Sequence, residues 1–498
     1  MARIACLFSV EYYDTIEYPL PGWDKIPFGL SLVAACLERA GHEVRCWVVC
    51  PDSALKQVSQ EIVCDYCCEM VAASCVTTQF PLIAALCRSI KDQKPSIPVL
   101  LGGVHPTIRP RECLSDPSVD AVCIGEGEDV AAAWASACAA GKQPRGIPGA
   151  WIKIPGGEEI DCTPPAPFRA NLDELPLLNY RHWERWIEPR DRRLRVVLGR
   201  GCPYACTYCS NHALRRVQDG RYVRFRSPEN ILAEIEMLAG RFPDLTSIRL
   251  EMETIGASIP WAMQLLDALA RFNAAREHPV AFRANLAITS QLMEDQERLG
   301  KLLASFRRAN LRCLDIGLES GSPRIRKEIL NRPPYSNQEL IRFCNLAREH
   351  GIAVSLYTLM GVPAETPADA VETSVVARAC NPLDISPSIF YPYPGTKLHD
   401  LSAEMGLIDP SNLGRTAERS RVYLSSKVFP RWRVFIEFVL IQWRIFHGRQ
   451  TMIQIVLTSI SRVLGILPGL QISAMRIRKH LPFHRRRLEV TSNLRPTR

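Results

Sequence analysis

Two stretches of the chain alternate short, continuously apolar runs with segments of helical spacing, and this alternation limits the fold more than any other feature. Within residues 1–140 the runs ARIACLFSV, EVRCWVV, MVAASCV, PVLLGG and VDAVCIG are separated by helical patterns such as GLSLVAACLERAG and PLIAALCRSIKD. Strands apolar on both faces and joined by helices belong in a parallel sheet covered on both sides. The expected first domain is therefore a doubly wound α/β sheet over residues 1–140, whose ligands bind beyond the carboxyl ends of the strands, where the strand order reverses. Those ends carry residues 74–79, Gly102-Gly103-Val104-His105-Pro106 and Gly125-Glu126-Gly127-Glu128. Glycines there let a ligand approach the backbone, and the exposed amides can receive anionic groups.

Residues 141–190 are rich in proline and irregular, and read as a surface linker with a small hairpin around 151–160. A second alternating series follows, with strands expected at 195–199, 247–253, 280–286, 313–320, 353–361 and 384–391, each but the last leading into a helix. Six repeats are too few for a closed eight-fold barrel, so residues 191–410 are expected to form an open, partial (β/α)6 barrel with its chemistry at the strand carboxyl ends. Beyond residue 410 only helical patterns remain, at 432–446 and 452–467, followed by a basic run from Arg476 to Arg487. The net charge of +9 is unevenly placed. Residues 411–498 hold 17 Lys+Arg and 3 Asp+Glu, a charge of +14, which leaves −5 for residues 1–410. A basic segment of this kind points to an anionic partner, either lipid headgroups or nucleic acid, and with no RNA-binding signature the basic run is thin evidence for the second.

Disorder, collagen and small disulfide scaffolds are excluded by a hydrophobic content of 47% in 498 residues. The apolar start lacks a basic flank and reads as a buried strand rather than a signal peptide, and no run reaches 18 apolar residues. The 19 cysteines then imply a reducing cytoplasm, where most act as small core residues. Three are different. In GRGCPYACTYCSN, residues 199–211, Cys202, Cys206 and Cys209 have the spacing C-x3-C-x2-C on a tight loop directly after a barrel strand. Three thiolates so placed can hold three corners of a cubane, leaving one iron open for substrate. A zinc site would require a fourth ligand, for which His212 is the one nearby candidate.

This loop resembles the signature of the radical S-adenosylmethionine (SAM) superfamily, in which an aromatic residue precedes the third cysteine. The resemblance implies that Cys202, Cys206 and Cys209 bind a 4Fe-4S cluster whose open iron chelates SAM, and that Tyr208 lies by the adenine. GLESGS (317–322) looks like the fourth-strand segment that touches SAM, with Glu319 and Ser320 as its polar ends. LMGVPAET (359–366) and YPYPGT (391–396) are similar to the fifth- and sixth-strand signatures, and the second strand ends in EMET, offering Glu251 or Glu253 to the SAM amino group.

The first domain resembles the cobalamin-binding domain that precedes this barrel in a large subfamily, on the strength of GGVHPT (102–107) and VDAVCIGEGE (119–128). By that resemblance Thr77, Thr78, Gly102, Gly103, His105, Gly125, Glu126 and Gly127 are the expected cobalamin contacts. The region after the first strand lacks the histidine that ligates cobalt in other corrinoid proteins. The resemblance thus implies a vacant or weak lower axial position near 76–79. His105 also fits a turn cap, and Glu126 and Glu128 also fit the dipole of the helix they open. Tyr12, Tyr13 and Trp23 are candidates to line a substrate cavity.

The implied activity is methylation of an unactivated carbon of a small-molecule or lipid-like precursor, through a 5′-deoxyadenosyl radical and methylcobalamin, with an external reductant such as flavodoxin or ferredoxin. Two alternatives stand beside it. One is a cobalamin-dependent cyclisation or rearrangement without methyl transfer, and the other is tRNA modification. The aromatic and arginine content of residues 431–449 resembles an amphipathic anchor and fits equally a small helical domain covering the open barrel with a solvated basic face, so the enzyme is expected in the cytoplasm, and at the inner membrane face if the anchor reading holds.

Overall fold

The computed structural model describes residues 1–13, 15–156, 159–409 and 421–447. Two compact units divide these residues: the first holds 1–191 with 210–222, and the second 192–209 with 223 onward.

The first unit is built on seven strands, β1 (Arg3–Ser9), β2 (Glu43–Val49), β3 (Met70–Ser74), β4 (Val99–Gly102), β5 (Ala121–Cys123), β6 (Ala150–Lys153) and β7 (Ile160–Cys162), in the order β2-β1-β3-β4-β5-β6-β7. The first five are parallel, as their two-sided apolar character demands: Cys6 of β1 faces Cys46 of β2, and both are buried. The reversal of order falls between β1 and β3, so the switch-point crevice lies at Ser9 and at the loop after Ser74. The hairpin expected near 151–160 is present as β6 and β7, but it is part of the sheet: β6 pairs antiparallel with β5, Ala121 opposite Ile152. The proline-rich sequence hid this because a two-strand extension adds only a few half-buried positions.

The second unit carries β8 (Leu194–Val197), a short antiparallel pair of β9 (Gly199–Arg200) with β10 (Arg224–Phe225), then β11 (Ser247–Glu251), β12 (Ala281–Asn285), β13 (Leu311–Glu319), β14 (Ala353–Met360) and β15 (Asp384–Ile389). Its main sheet is all parallel in the order β15-β14-β13-β12-β11-β8, with β8 and β15 as edges, which is the open six-strand barrel expected from the repeats. Helices return the chain between strands. Asn337–Glu349 and Pro367–Ala379 begin with full capping boxes, Ser336 with Glu339 and Thr366 with Asp369, a device that satisfies otherwise unpaired first-turn amides. Fully buried Phe282, Phe306 and Phe343 fill the space between sheet and helices, each worth roughly 1.5–3 kcal/mol by burial.

The expected helix at 432–446 is Arg431–Phe446, packed on Pro367–Ala379. The pattern at 452–467 and the basic run from Arg476 to Arg487 lie outside the described residues. Among the described residues, no helix is long and apolar enough to cross a membrane.

Candidate functional site

The cysteine loop leaves β8 through Gly199, where a Cβ would meet the Arg224 carbonyl at 2.3 Å, so glycine is required by the β9–β10 pairing. Gly201 then turns the chain at φ +88°. Cys206 is buried and Cys202 and Cys209 are half-buried, with the Cys209 amide donating to the Cys206 carbonyl at 3.2 Å. Burial pushes the Cys202 thiol up to about 12, and the negative neighbours Glu253, Cys206 and Cys209 add to the rise. Three thiolates crowded here are stable only beside a cationic centre, which deprotonates its ligands outright. The loop therefore fits an iron–sulfur cluster. Among the described residues no three His, Cys, Asp or Glu side chains converge tightly enough to cage a single ion. A cubane binds its thiolates at separate irons and needs no such convergence.

Around the loop the strand ends bring together most of the residues expected for SAM. Tyr208 donates its hydroxyl to Glu319 Oε1 at 3.1 Å. Burial raises the Tyr208 phenol well above its ordinary value. Glu319 closes β13 with φ +57°, just past a register shift against β14, a left-handed conformation that a side chain adopts only when its surroundings enforce it. The two candidate glutamates of β11 separate clearly. Glu251 is paired with Arg249 at 2.9 Å and Arg195 at 3.5 Å, whereas Glu253 acts on Cys202. Ser320 is fully buried and locks the turn: its Oγ accepts from the Ser322 amide at 3.2 Å, and its carbonyl accepts from Arg326 at 2.8 Å.

Two residues with several contacts around the strand ends escaped the sequence reading. Arg332 donates to Cys206 Sγ at 3.6 Å, to the Tyr208 hydroxyl at 3.2 Å and to the Gly317 carbonyl at 2.7 Å. Nothing periodic marks it in LNRPPY. Glu365, inside the motif 359–366, is buried and accepts from the amides of Gly361 at 2.5 Å and Val362 at 3.2 Å, holding the turn after β14. Burial pushes its carboxyl up to about 8, against the pull of those two amides. Its place in the G-x-P-x-E-T pattern was the available signal.

Beneath the strand ends lies a charged layer. Arg195, Arg249 and Arg283 stand in register on β8, β11 and β12. Asp315 of β13 accepts from Arg249 at 2.7 Å and from Arg283 Nε at 2.7 Å, while Arg249 also reaches Asn285 at 2.8 Å and Tyr357 at 3.0 Å.

In the first unit the expected cobalamin residues all lie at or just beyond the carboxyl ends of β3, β4 and β5. Thr78 is buried beside the half-buried Thr77, and Gln79 ties this loop to β1, donating to the Ser9 carbonyl at 2.6 Å. Gly102 ends β4, and Gly103, at φ +98°, leaves room for the Cys75 carbonyl, which a Cβ would meet at 2.8 Å. Gly125, at φ +85°, faces Gln218, whose Oε1 also accepts from the Glu126 amide at 3.1 Å. Gly127 precedes the helix Glu128–Ala139. His105 is 2% exposed, its ring centroid 4.9 Å from that of Phe80. Among the described residues neither ring nitrogen has a hydrogen-bond partner, and the nearest Glu112 oxygen stands 3.7 Å away. The Ser9 hydroxyl at the switch point is likewise buried without a partner. Orphaned polar groups at this edge fit a ligand rimmed with amides, as a corrin is. Of the cavity candidates, Tyr13 bonds Asp52 and Trp23 packs near Tyr180.

Residues 22–135 match the family model of the B12 binding domain, and residues 196–374 match that of the Radical SAM superfamily. The chain is 26% identical over 345 residues to the anaerobic magnesium-protoporphyrin IX monomethyl ester cyclase of Rubrivivax gelatinosus, covering 68% of this chain but only 58% of that protein, less than two thirds of its length. It is 24% identical over 392 residues to the hopanoid C-3 methylase of Methylococcus capsulatus, covering 74% of this chain and 67% of that one. Among solved structures, the radical SAM methyltransferase TsrM of Kitasatospora setae, with cobalamin and a 4Fe-4S cluster bound, superposes with a TM-score of 0.66 at 17% identity, covering 97% of this chain and 99% of the other. At that identity the likeness is one of fold.

Proposed function

This chain belongs to the radical SAM enzymes that carry an N-terminal B12-binding domain, and from that premise we propose that it is a cobalamin-dependent methyltransferase acting on an unactivated carbon of a small-molecule or lipid-like precursor. The observation that carries the reading is the presence in one chain of a three-thiol loop backed by Tyr208 and Glu319 and of a switch-point crevice with unsatisfied polar groups. When bound, the cluster with SAM supplies hydrogen abstraction from an unactivated carbon, and cobalamin supplies the methyl group.

The residues of the chain divide that work. Cys202, Cys206 and Cys209 hold the cluster, and Glu253 and Glu319 offer carboxylates to the cationic and hydroxyl parts of SAM. Ser320 and Glu365 fix the two turns that follow β13 and β14. On the first unit Thr77, Thr78, Gly102, Gly103, His105, Gly125, Glu126 and Gly127 would line a bound corrin. Electrons come from an external one-electron donor of the flavodoxin or ferredoxin class.

Helix Arg431–Phe446 buries Val434, Phe438 and Ile441 and exposes Trp432, Ile436, Leu440 and Trp443 along its other side. This face and the basic sequence after it support peripheral contact with the inner membrane surface, where a lipid-like substrate would reside. The relative named a cyclase favours the second reading, cyclisation without methyl transfer. Product analysis separates them: anaerobic turnover is expected to give S-adenosylhomocysteine together with 5′-deoxyadenosine, and 5′-deoxyadenosine alone would overturn the methyltransferase reading.

A further inference from the structure

The cysteine loop is stitched to the distant segment 329–332 by contacts that the SAM and cluster motifs do not require. The Thr207 amide donates to the Leu330 carbonyl at 3.1 Å, and its hydroxyl donates to the Ile329 carbonyl at 2.5 Å. Asn331, held at φ +47°, donates its side-chain amide to the Ala205 carbonyl at 2.9 Å. These contacts place the guanidinium of the next residue, Arg332, against the loop's central thiol, with Nη1 3.6 Å from Cys206 Sγ and 3.2 Å from the Tyr208 hydroxyl. Nη2 is anchored on the Gly317 carbonyl at 2.7 Å, while Nε is buried with no partner. A planar fork that touches three acceptors at once is a task for arginine and not for lysine, and its charge is permanent.

We propose that Arg332 is a positioning residue that sets the reduction potential of the cluster on Cys202, Cys206 and Cys209, by donating an N–H to the Cys206 sulfur and fixing a positive charge beside it. The inference rests on the cofactor reading above. Reduction adds one electron, supplied by the external donor, and so one negative charge to the cluster. A hydrogen bond to a ligand sulfur and a neighbouring cation both favour that reduced state. Arg332 also braces Tyr208, so the same guanidinium that eases reduction keeps the aromatic wall of the loop in place.

The test is an anaerobic redox titration, followed by electron paramagnetic resonance, of the full chain reconstituted with iron and sulfide, as wild type, Arg332→Gln and Arg332→Lys. Arg332→Gln is expected to shift the one-electron equilibrium about tenfold toward the oxidised cluster, ~59 mV in potential, and Arg332→Lys is expected to shift it less. An unchanged potential in Arg332→Gln at wild-type iron content overturns the proposal. If Arg332→Gln fails to take up iron, Arg332→Lys decides: a lowered potential supports the proposal and an unchanged one overturns it. A wild-type chain that takes up no cluster defeats the cofactor reading itself, which is a distinct failure.

Discussion

In the barrel unit one buried layer is charged and its groups pair with one another, whereas the side chains of His105 and Ser9 at the strand ends of the first unit have no hydrogen-bond partner among the described residues. Asp315 sits between Arg249 and Arg283 on three neighbouring strands, with Glu251 accepting from Arg249 Nε and Asn285 and Tyr357 accepting from its Nη2. The side chains of His105 and Ser9, by contrast, are buried at the carboxyl edge of their sheet without hydrogen-bond partners among the described residues. A charged layer of this kind makes one strand register far more favourable than its neighbours, because a slip would strand a charge in the interior. The unsatisfied crevice does the opposite: it leaves free energy to be recovered when a polar ligand arrives. The charged layer therefore fixes its strand register before cofactors bind, and the crevice is expected to gain stability by binding.

The sharpest way to break this contrast is Asp315→Ala. Removing one partner of a buried ion pair leaves the others uncompensated and costs about 3–5 kcal/mol. Hydrogen exchange is expected to show the amides of β11, β12 and β13 losing protection, with those of β1 to β5 unchanged. Equal loss in both units, or none in either, would show that the charged layer does not set the barrel's stability.

What could be foreseen followed the same division. Strand and helix alternation, the cysteine spacing and the strand-end glycines were all readable, because each depends on residues near one another in sequence. The chain order did not show that Arg195, Arg249 and Arg283 meet in register, since each looks like an isolated charge in an otherwise apolar strand. Arg332 was invisible for a related reason: it acts 126 residues away, on Cys206. Ser320 and the glycines show the converse limit. Their positions matched the motifs, yet Ser320 is engaged by its own turn, and Gly103 and Gly125 make room for Cys75 and Gln218, so residue type alone did not say what each residue touches.

The contrast extends to pH, with opposite signs in the two units. Glu365 has its carboxyl pushed by burial up to about 8, from an ordinary 4.5. The folded chain keeps that proton between pH 4.5 and 8 while the unfolded chain releases it, so stability from this group is complete below pH 4.5 and falls as pH rises toward 8, by about 1.4 kcal/mol per pH unit. Glu365→Gln keeps an oxygen for the amides of Gly361 and Val362 and has no proton to lose. The variant is expected to flatten the pH dependence of exchange at those two amides, becoming more protected than wild type at pH 8. An identical slope in both proteins would exclude Glu365 as its source.

His105 gives the smaller and reversed effect. Burial, with the nearby Arg109 charge adding to it, lowers its imidazole to about 4 from an ordinary 6.5, so the folded first unit holds it neutral while the unfolded chain protonates. Stability from this group is complete above pH 6.5 and falls as pH drops toward 4, by about 1.4 kcal/mol per pH unit over a window narrower than that of Glu365. His105→Phe replaces an unsatisfied ring by an apolar one of similar shape against Phe80. Exchange of β3 and β4 amides is therefore expected to lose its acid sensitivity in the variant while keeping wild-type protection at pH 7, because no hydrogen bond is removed. If the variant instead lost protection at pH 7, His105 would have a partner that holds the crevice together, and the first unit would resemble the barrel in pairing its buried polar groups before any ligand binds.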